Sequence, residues 1–191
     1  MPRRPRHSTG GIAYHVLNRR VGRLELFEKP FDYSAFENIL VEAYHRTGIR
    51  VAAYCLMPNH WHLLLWPRTD GELSEIMRWI TVTHTQRWHA HRHSSGTGPV
   101  YQGRFKSFPV QTDEHFITAA RYVERNALRA KLVERAEEWR WSRVCGRRGR
   151  VLYFDISDFL RSHQVVNARA RSYCFSLDEL FGITHRTRQK V

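Results

Sequence analysis

An α+β domain, an antiparallel sheet with helices packed on one side, is the fold class this sequence predicts, and three observations predict it. Segments with two-residue alternation and segments with three- and four-residue recurrence follow one another in the order β-α-β-β-α-β-α. A Pro58-Asn59 step between two apolar strands marks a hairpin. The composition, 42% hydrophobic, 13% aromatic and 26% charged over 191 residues, is that of a folded domain with room for an appendage.

Taken in order, Gly11 to Arg19 sets Ile12, Tyr14 and Val16 against Ala13, His15 and Leu17, a strand. Over Asp32 to Thr47 the residues Phe36, Ile39, Leu40, Ala43 and Tyr44 recur at helical spacing, and Gly48 can close the helix. Ile49 to Met57 and His60 to Trp66 are the two strands of the hairpin. Leu73 to His89 is a second helix, with Leu73, Ile76, Met77 and Ile80 on one face. The run Ser94-Ser95-Gly96-Thr97-Gly98-Pro99 breaks the chain, and Val100 to Val110 suits a further strand or ribbon. Asp113 to Arg129 is a third helix, turning Phe116, Ile117, Ala120 and Val123 inward. This order describes a ferredoxin-like α+β domain.

Charge narrows the function. Lys and Arg total 31 against 18 Asp and Glu, a net +13, which points to a polyanionic partner and first of all to nucleic acid. Residues 151–191 account for +2 of this (6 Lys/Arg, 4 Asp/Glu), so residues 1–150 hold +11. The longest apolar stretches fall far short of the ~20 residues a bilayer crossing needs. The start, Met1-Pro2-Arg3-Arg4-Pro5-Arg6, leads into no apolar signal core. Three separated cysteines, Cys55, Cys145 and Cys174, suggest neither a disulfide framework nor a thiolate zinc site. The expectation is a soluble, cytoplasmic, basic protein, with residues 1–145 as the working domain. A basic linker, Arg147-Arg148-Gly149-Arg150, and a short tail of unassigned role fill 146–191.

The chemistry-bearing pattern is His60-Trp61-His62 on the third strand. Alternation sends both imidazoles to one side of the sheet and Trp61 to the other, so the two rings can share a metal ion. The spacing alone is weak: with 12 His in the chain, roughly 0.75 such pairs arise by chance. Three are present, and His89/His91 and His91/His93 read as a solvated basic cluster at a helix end. Two hydrogen-bonded sheet histidines are the plain alternative for His60 and His62. On the third helix Tyr122 and Asn126 lie four residues apart on one face. A tyrosine hydroxyl there can act as nucleophile, and the Asn carbonyl oxygen can complete a metal site with the two histidines. The plain alternative is an amphipathic tyrosine and a helix-ending asparagine. A His/His/amide-oxygen set suits Mg²⁺ or Mn²⁺ bridging a phosphate better than structural zinc. Such an ion answers a need, since phenols ionise near pH 10 and only about 10⁻³ is phenolate at pH 7, a deficit of roughly 4 kcal/mol.

The segment Tyr54-Cys55-Leu56-Met57-Pro58-Asn59-His60-Trp61-His62-Leu63-Leu64-Leu65 resembles the signature of the HUH (His-hydrophobic-His) single-strand DNA nucleases. Its closest form is that of the REP-associated tyrosine transposases, within the IS200-like single-tyrosine superfamily. The resemblance continues through Tyr101-Gln102-Gly103-Arg104-Phe105-Lys106-Ser107 and through Arg121 to Ala130. Tyr14-His15-Val16-Leu17-Asn18-Arg19 and Trp139-Arg140-Trp141-Ser142 agree with it, so it spans about residues 11 to 145. Ala127 stands where the family pattern often has Pro, and residues from 146 onward match nothing in it.

The resemblance implies that Tyr122 is the single nucleophile and that His60, His62 and Asn126 hold the metal. It implies a 5′-phosphotyrosine intermediate with a free 3′-hydroxyl, on hairpin or folded single-stranded DNA from repetitive palindromes. It also implies a place at the bacterial nucleoid, as monomer or homodimer. Expected DNA contacts are the arm Arg3, Arg4 and Arg6, the first-strand group His15, Arg19 and Arg20, the pair Arg104 and Lys106, and the helical ladder Arg121, Arg125 and Arg129. Solvated basic faces are the plain alternative for these. A non-catalytic single-strand binding regulator on the same scaffold is the alternative function, and an RNA-directed protein is a third.

Overall fold

The computed structural model describes residues 8–110 and 113–143. The arm carrying Arg3, Arg4 and Arg6, the linker and tail at 146–191, and Cys145 and Cys174 lie outside the described residues. The elements are β1 (Ala13–Arg19), a 3₁₀ turn (Val21–Arg23), α1 (Pro30–Thr47), β2 (Arg50–Met57), β3 (His60–Trp66) and α2 (Glu72–Arg92). They continue with β4 (Lys106–Val110), α3 (Asp113–Glu124), the single turn α4 (Asn126–Arg129) and a 3₁₀ turn (Ala136–Glu138). The strands form one sheet in the order β2-β3-β1-β4, every neighbouring pair antiparallel. This is the ferredoxin-like α+β sheet expected, with α1 and α2 packed side by side on one face.

Alternation along β3 sorts the two faces. Trp61, Leu63 and Leu65 turn toward α1 and α2, where Trp61 lies against Phe36, ring centroids 5.7 Å apart. The indole Nε1–H of Trp61 donates to the Tyr101 hydroxyl at 3.0 Å, and that hydroxyl lies 2.7 Å from His84 Nδ1 on α2. Tyr101 accepts from Trp61, so its one proton goes to His84, which must be neutral to receive it. Burial accordingly holds His84 down to about 3. His60, His62 and Leu64 face the other way. There α3 and α4 cover part of the sheet through Ala119, Val123 and Ala127, packed with Ala13, Cys55, Met57, Leu64 and Val110. Burial pushes the Cys55 thiol up to about 12, which makes it a small apolar core residue.

Caps and close approaches fix the element ends. Gly48 closes α1 at φ 69°, a left-handed position that favours glycine, and its N–H donates to Tyr44 O. At the other end Asp32 accepts from the N–H groups of Glu28 and Lys29 and pairs with Arg92 of α2 at 3.0 Å. Gly10 runs so close to the β3–α2 loop that a Cβ there would lie 2.5 Å from Arg68 O. The outer edge of β2 is closed by the segment around Trp139 to Ser142. Leu56 N–H donates to Trp141 O, Trp139 Nε1–H donates to Leu56 O, and Trp141 stacks on Tyr33 at 4.7 Å.

Two elements differ from the sequence reading. The strand expected over Val100 to Val110 is ladder-paired only from Lys106, with Tyr101 making one isolated bridge to Arg20. The Tyr101 side chain is drawn into the α2 side by Trp61 and His84, and Asn18 Nδ2 donates to Gly103 O, so the backbone leaves the sheet line there. The helix expected over Asp113 to Arg129 breaks at Arg125, which has φ −90° and ψ 8°. The amide of Asn126 causes this break locally: its Nδ2 donates to the carbonyls of Tyr122 and Val123 at 2.9 and 3.2 Å, in competition with the helical ladder.

Candidate active site

Residues from three distant stretches of sequence meet on the α3 face of the sheet. Antiparallel register sets Leu17 opposite His62 and Arg19 opposite His60, so His15, Leu17, Arg19, His60 and His62 share one face. Tyr122, near the end of α3, closes over this group. Its ring centroid lies 5.5 Å from that of His15 and 6.0 Å from that of His62, both edge-on. The rings of His60 and His62 are 5.0 Å apart. Tyr122 is 39% exposed, open to a substrate arriving from solvent.

Each of the two β3 histidines is held at Nδ1. His60 Nδ1 is 2.5 Å from Asn59 Oδ1, and Asn59 is oriented by its Nδ2–H bond to Arg23 O. His62 Nδ1 is 2.9 Å from His15 Nε2. Burial, reinforced by the nearby Arg19 cation, lowers His60 to about 4. Burial lowers His62 to about 3, assisted by His60, His15 and Arg19. His15 is also lowered by burial. All three are therefore neutral imidazoles near pH 7, the form that ligates a metal. With Nδ1 donating to Asn59 or His15, the Nε2 lone pair of each β3 histidine is left for a ligand, the usual wiring of a metal-bound histidine.

A divalent ion fits this donor set if an oxygen joins it. Among the described residues no three His, Cys, Asp or Glu side chains converge on one point. Asn126 Nδ2 is taken by its own helix, donating to the carbonyls of Tyr122 and Val123, which leaves its Oδ1 as an acceptor. Two imidazoles and one amide oxygen suit Mg²⁺ or Mn²⁺ completed by water and phosphate.

The cations expected near DNA do not share one placement. Arg19 and Lys106 lie on the histidine face, Lys106 exposed and cross-strand from Leu17. Arg129 reaches back from α4 to lay its guanidinium 4.7 Å from the Tyr122 ring centroid. Arg104, Arg121 and Arg125 are exposed. Arg20 points elsewhere: it lies 4.3 Å from the Trp88 ring on the α2 side and 3.9 Å from Glu28. Sequence reasoning missed Asn59 as a partner of His60, although it adjoins the histidine. It also missed the His15–His62 bond, which depends on a register no local pattern reveals.

The family model for IS200-like transposases matches residues 8–126, which contain β1 through α3, both β3 histidines, Tyr122 and Asn126. The chain belongs to the IS200-like transposase family. This makes it a transposase, of a family that cuts and rejoins DNA. Among solved structures it is similar to a REP-associated tyrosine transposase bound to a REP hairpin, at 18% identity over 74% of this chain and 81% of that one, with a TM-score of 0.58. That likeness shows the same fold. A weaker likeness, to a protein of Deinococcus radiodurans, has 14% identity over 69% of this chain and 92% of the other, with a TM-score of 0.45. No curated protein sequence matches the chain. Among the described residues no helix is long and apolar enough to cross a membrane.

Proposed function

We propose that this transposase cleaves and rejoins one DNA strand through Tyr122, forming a covalent 5′-phosphotyrosine with a divalent Mg²⁺ or Mn²⁺ at His60, His62 and Asn126. The observation that carries this reading is the meeting of Tyr122 with His62, ring to ring at 6.0 Å, across 60 residues of sequence. The phenolic oxygen gives up its proton and bonds to phosphorus, the P–O3′ bond breaks, and the released oxygen takes up a proton to become a 3′-hydroxyl. Exchanging one ester for another keeps the bond available for rejoining. His60, His62 and Asn126 would hold the divalent ion, which would supply charge neutralisation to the phosphate that Tyr122 attacks.

The chain's own residues do the rest. His15 and Asn59 hold the two imidazoles in the ligating tautomer. Arg129 packs on the phenol and brings a positive charge beside the phosphate it attacks. Arg19 and Lys106 line the approach along the histidine face. The substrate we assign is folded single-stranded DNA with a hairpin, as in the solved complex of the REP-associated relative. The site of action is the cytoplasm, at the nucleoid.

The test is incubation of the protein with a labelled library of single-stranded DNA hairpins and Mg²⁺ or Mn²⁺ at low salt, followed by a denaturing gel. A DNA band retarded by attached protein is expected, lost in Tyr122→Phe, in His60→Ala and without metal. Tight hairpin binding with no covalent species for any metal would make the chain a single-strand binding regulator instead.

A further inference from the structure

Phe108 is a large apolar side chain that the core does not use. It is 52% exposed on edge strand β4, while Val110, two residues on, is buried under α3. The packed cluster on that face is complete without it. Register places Phe108 directly cross-strand from His15 and Lys106 cross-strand from Leu17, so both project from the histidine face. The Phe108 ring lies 6.2 Å from that of His15, and His15 lies 5.5 Å from Tyr122. Phe108 is thus one ring removed from the nucleophile, with an exposed cation beside it on the same strand and Arg19 on the neighbouring one.

We propose that Phe108 is a nucleobase-stacking subsite that holds an unpaired base flanking the phosphate attacked by Tyr122, with Lys106 gripping the adjoining backbone phosphate. The assignment rests on the strand-transfer reading above, because it is the position of the scissile phosphate that puts a base within reach. An exposed aromatic flanked by cations is the usual grammar of sequence-tolerant single-strand binding: every base offers a π face, and every link a charge. Among the described residues no strand pairs with the outer side of β4, which suits the task. A duplex cannot use the platform, since its bases are already stacked on each other. The subsite therefore favours the single strand over the paired stem of a hairpin. Phe105, three residues earlier, is buried, whereas Phe108 lies on the open face.

The experiment compares binding of two single strands to the full chain at low salt: oligothymidylate, and a strand of the same length built of abasic sites, which keeps the phosphates and lacks the bases. Phe108→Ala should weaken oligothymidylate binding about 5- to 100-fold, leave abasic-strand binding unchanged, and leave the salt dependence unchanged. Phe108→Trp should restore the affinity. Lys106→Ala should weaken both strands alike and reduce the salt slope by about 0.7. Equal affinity of Phe108→Ala and wild type for oligothymidylate would overturn the subsite. So would a loss that tracks a change in oligomeric state by light scattering, which would make the ring a contact between chains. If either result came with an intact covalent DNA adduct, only the subsite would fall. A wild-type chain that bound neither strand would take down the strand-transfer reading as well.

Discussion

His15 and His62 share one proton across 2.9 Å, and which ring owns it decides what the site can bind. When His62 donates from Nδ1, its Nε2 is a ligand; when His15 donates, His62 has no lone pair left for a metal unless it turns. Replacing His15 by Leu should weaken Mn²⁺ binding about 10- to 100-fold, read as free Mn²⁺ by electron paramagnetic resonance, whereas His15→Gln keeps an acceptor oxygen and most of the affinity. Equal loss in both variants would mean that His15 serves only packing. Arg129 is a second residue-scale contact. Its stacking on Tyr122 is half-open to solvent, so Arg129→Ala should slow adduct formation only a few-fold, in line with about 0.5–1 kcal/mol for an exposed cation–π pair. At this scale the sequence exposed the spacing of His60 and His62 and of Tyr122 and Asn126, because both are local periodicities. His15 stood out only as a strand residue near expected DNA, since its partner lies 47 positions away.

At the scale of elements, β3 was legible end to end, as His60–Trp66, because its alternation and the Pro58-Asn59 turn agree. The ends of α1 and α2 were legible to within a few residues. What escaped was competition between backbone and side chains: Tyr101 drawn from the β4 line by two buried partners, and Asn126 interrupting its own helix. The join of α1 to α2 yields a prediction. Asp32 is buried, caps the start of α1 and pairs with Arg92, itself largely covered. Nearby Arg92 and the two backbone N–H donors hold its carboxyl below the usual range against the opposing effect of burial. Asp32→Ala leaves the Arg92 cation without its main partner and should cost about 3 kcal/mol in urea unfolding. A loss under 1 kcal/mol would show that Glu28, 3.2 Å from Arg92, carries the cation alone.

For the molecule as a whole, two titrations matter. The first is of salt: a chain with +13 should lose single-stranded DNA affinity steeply as salt rises, with a log–log slope near −0.7 per phosphate contacted. The second is of acid. His84 is neutral and buried, with a folded value of about 3 against 6.5 when unfolded. The unfolded chain therefore takes up protons first, so the contribution is fully present above about 6.5 and is lost as pH falls toward 3. The slope for this one group is up to about 1.4 kcal/mol per pH unit. His84→Gln, which keeps an acceptor for Tyr101, should flatten the acid limb of urea-unfolding stability between pH 6.5 and 4. An unchanged limb would place the loss on other groups. Composition revealed the basic character and the +11 within residues 1–150, and so the class of partner. It carried no sign of catalysis, which came from four residues and their spacing.

The bond between Tyr122 and DNA is what makes this chain a strand-transfer enzyme, and locating that bond is the decisive measurement. A hairpin adduct formed with Mn²⁺ would be digested with nuclease and trypsin and sequenced by tandem mass spectrometry. A nucleotide phosphate is expected on the peptide Tyr122-Val123-Glu124-Arg125, whose one tyrosine is the proposed nucleophile. A phosphate on any other residue, or hairpin DNA that binds and is never linked to the chain, would contradict that assignment.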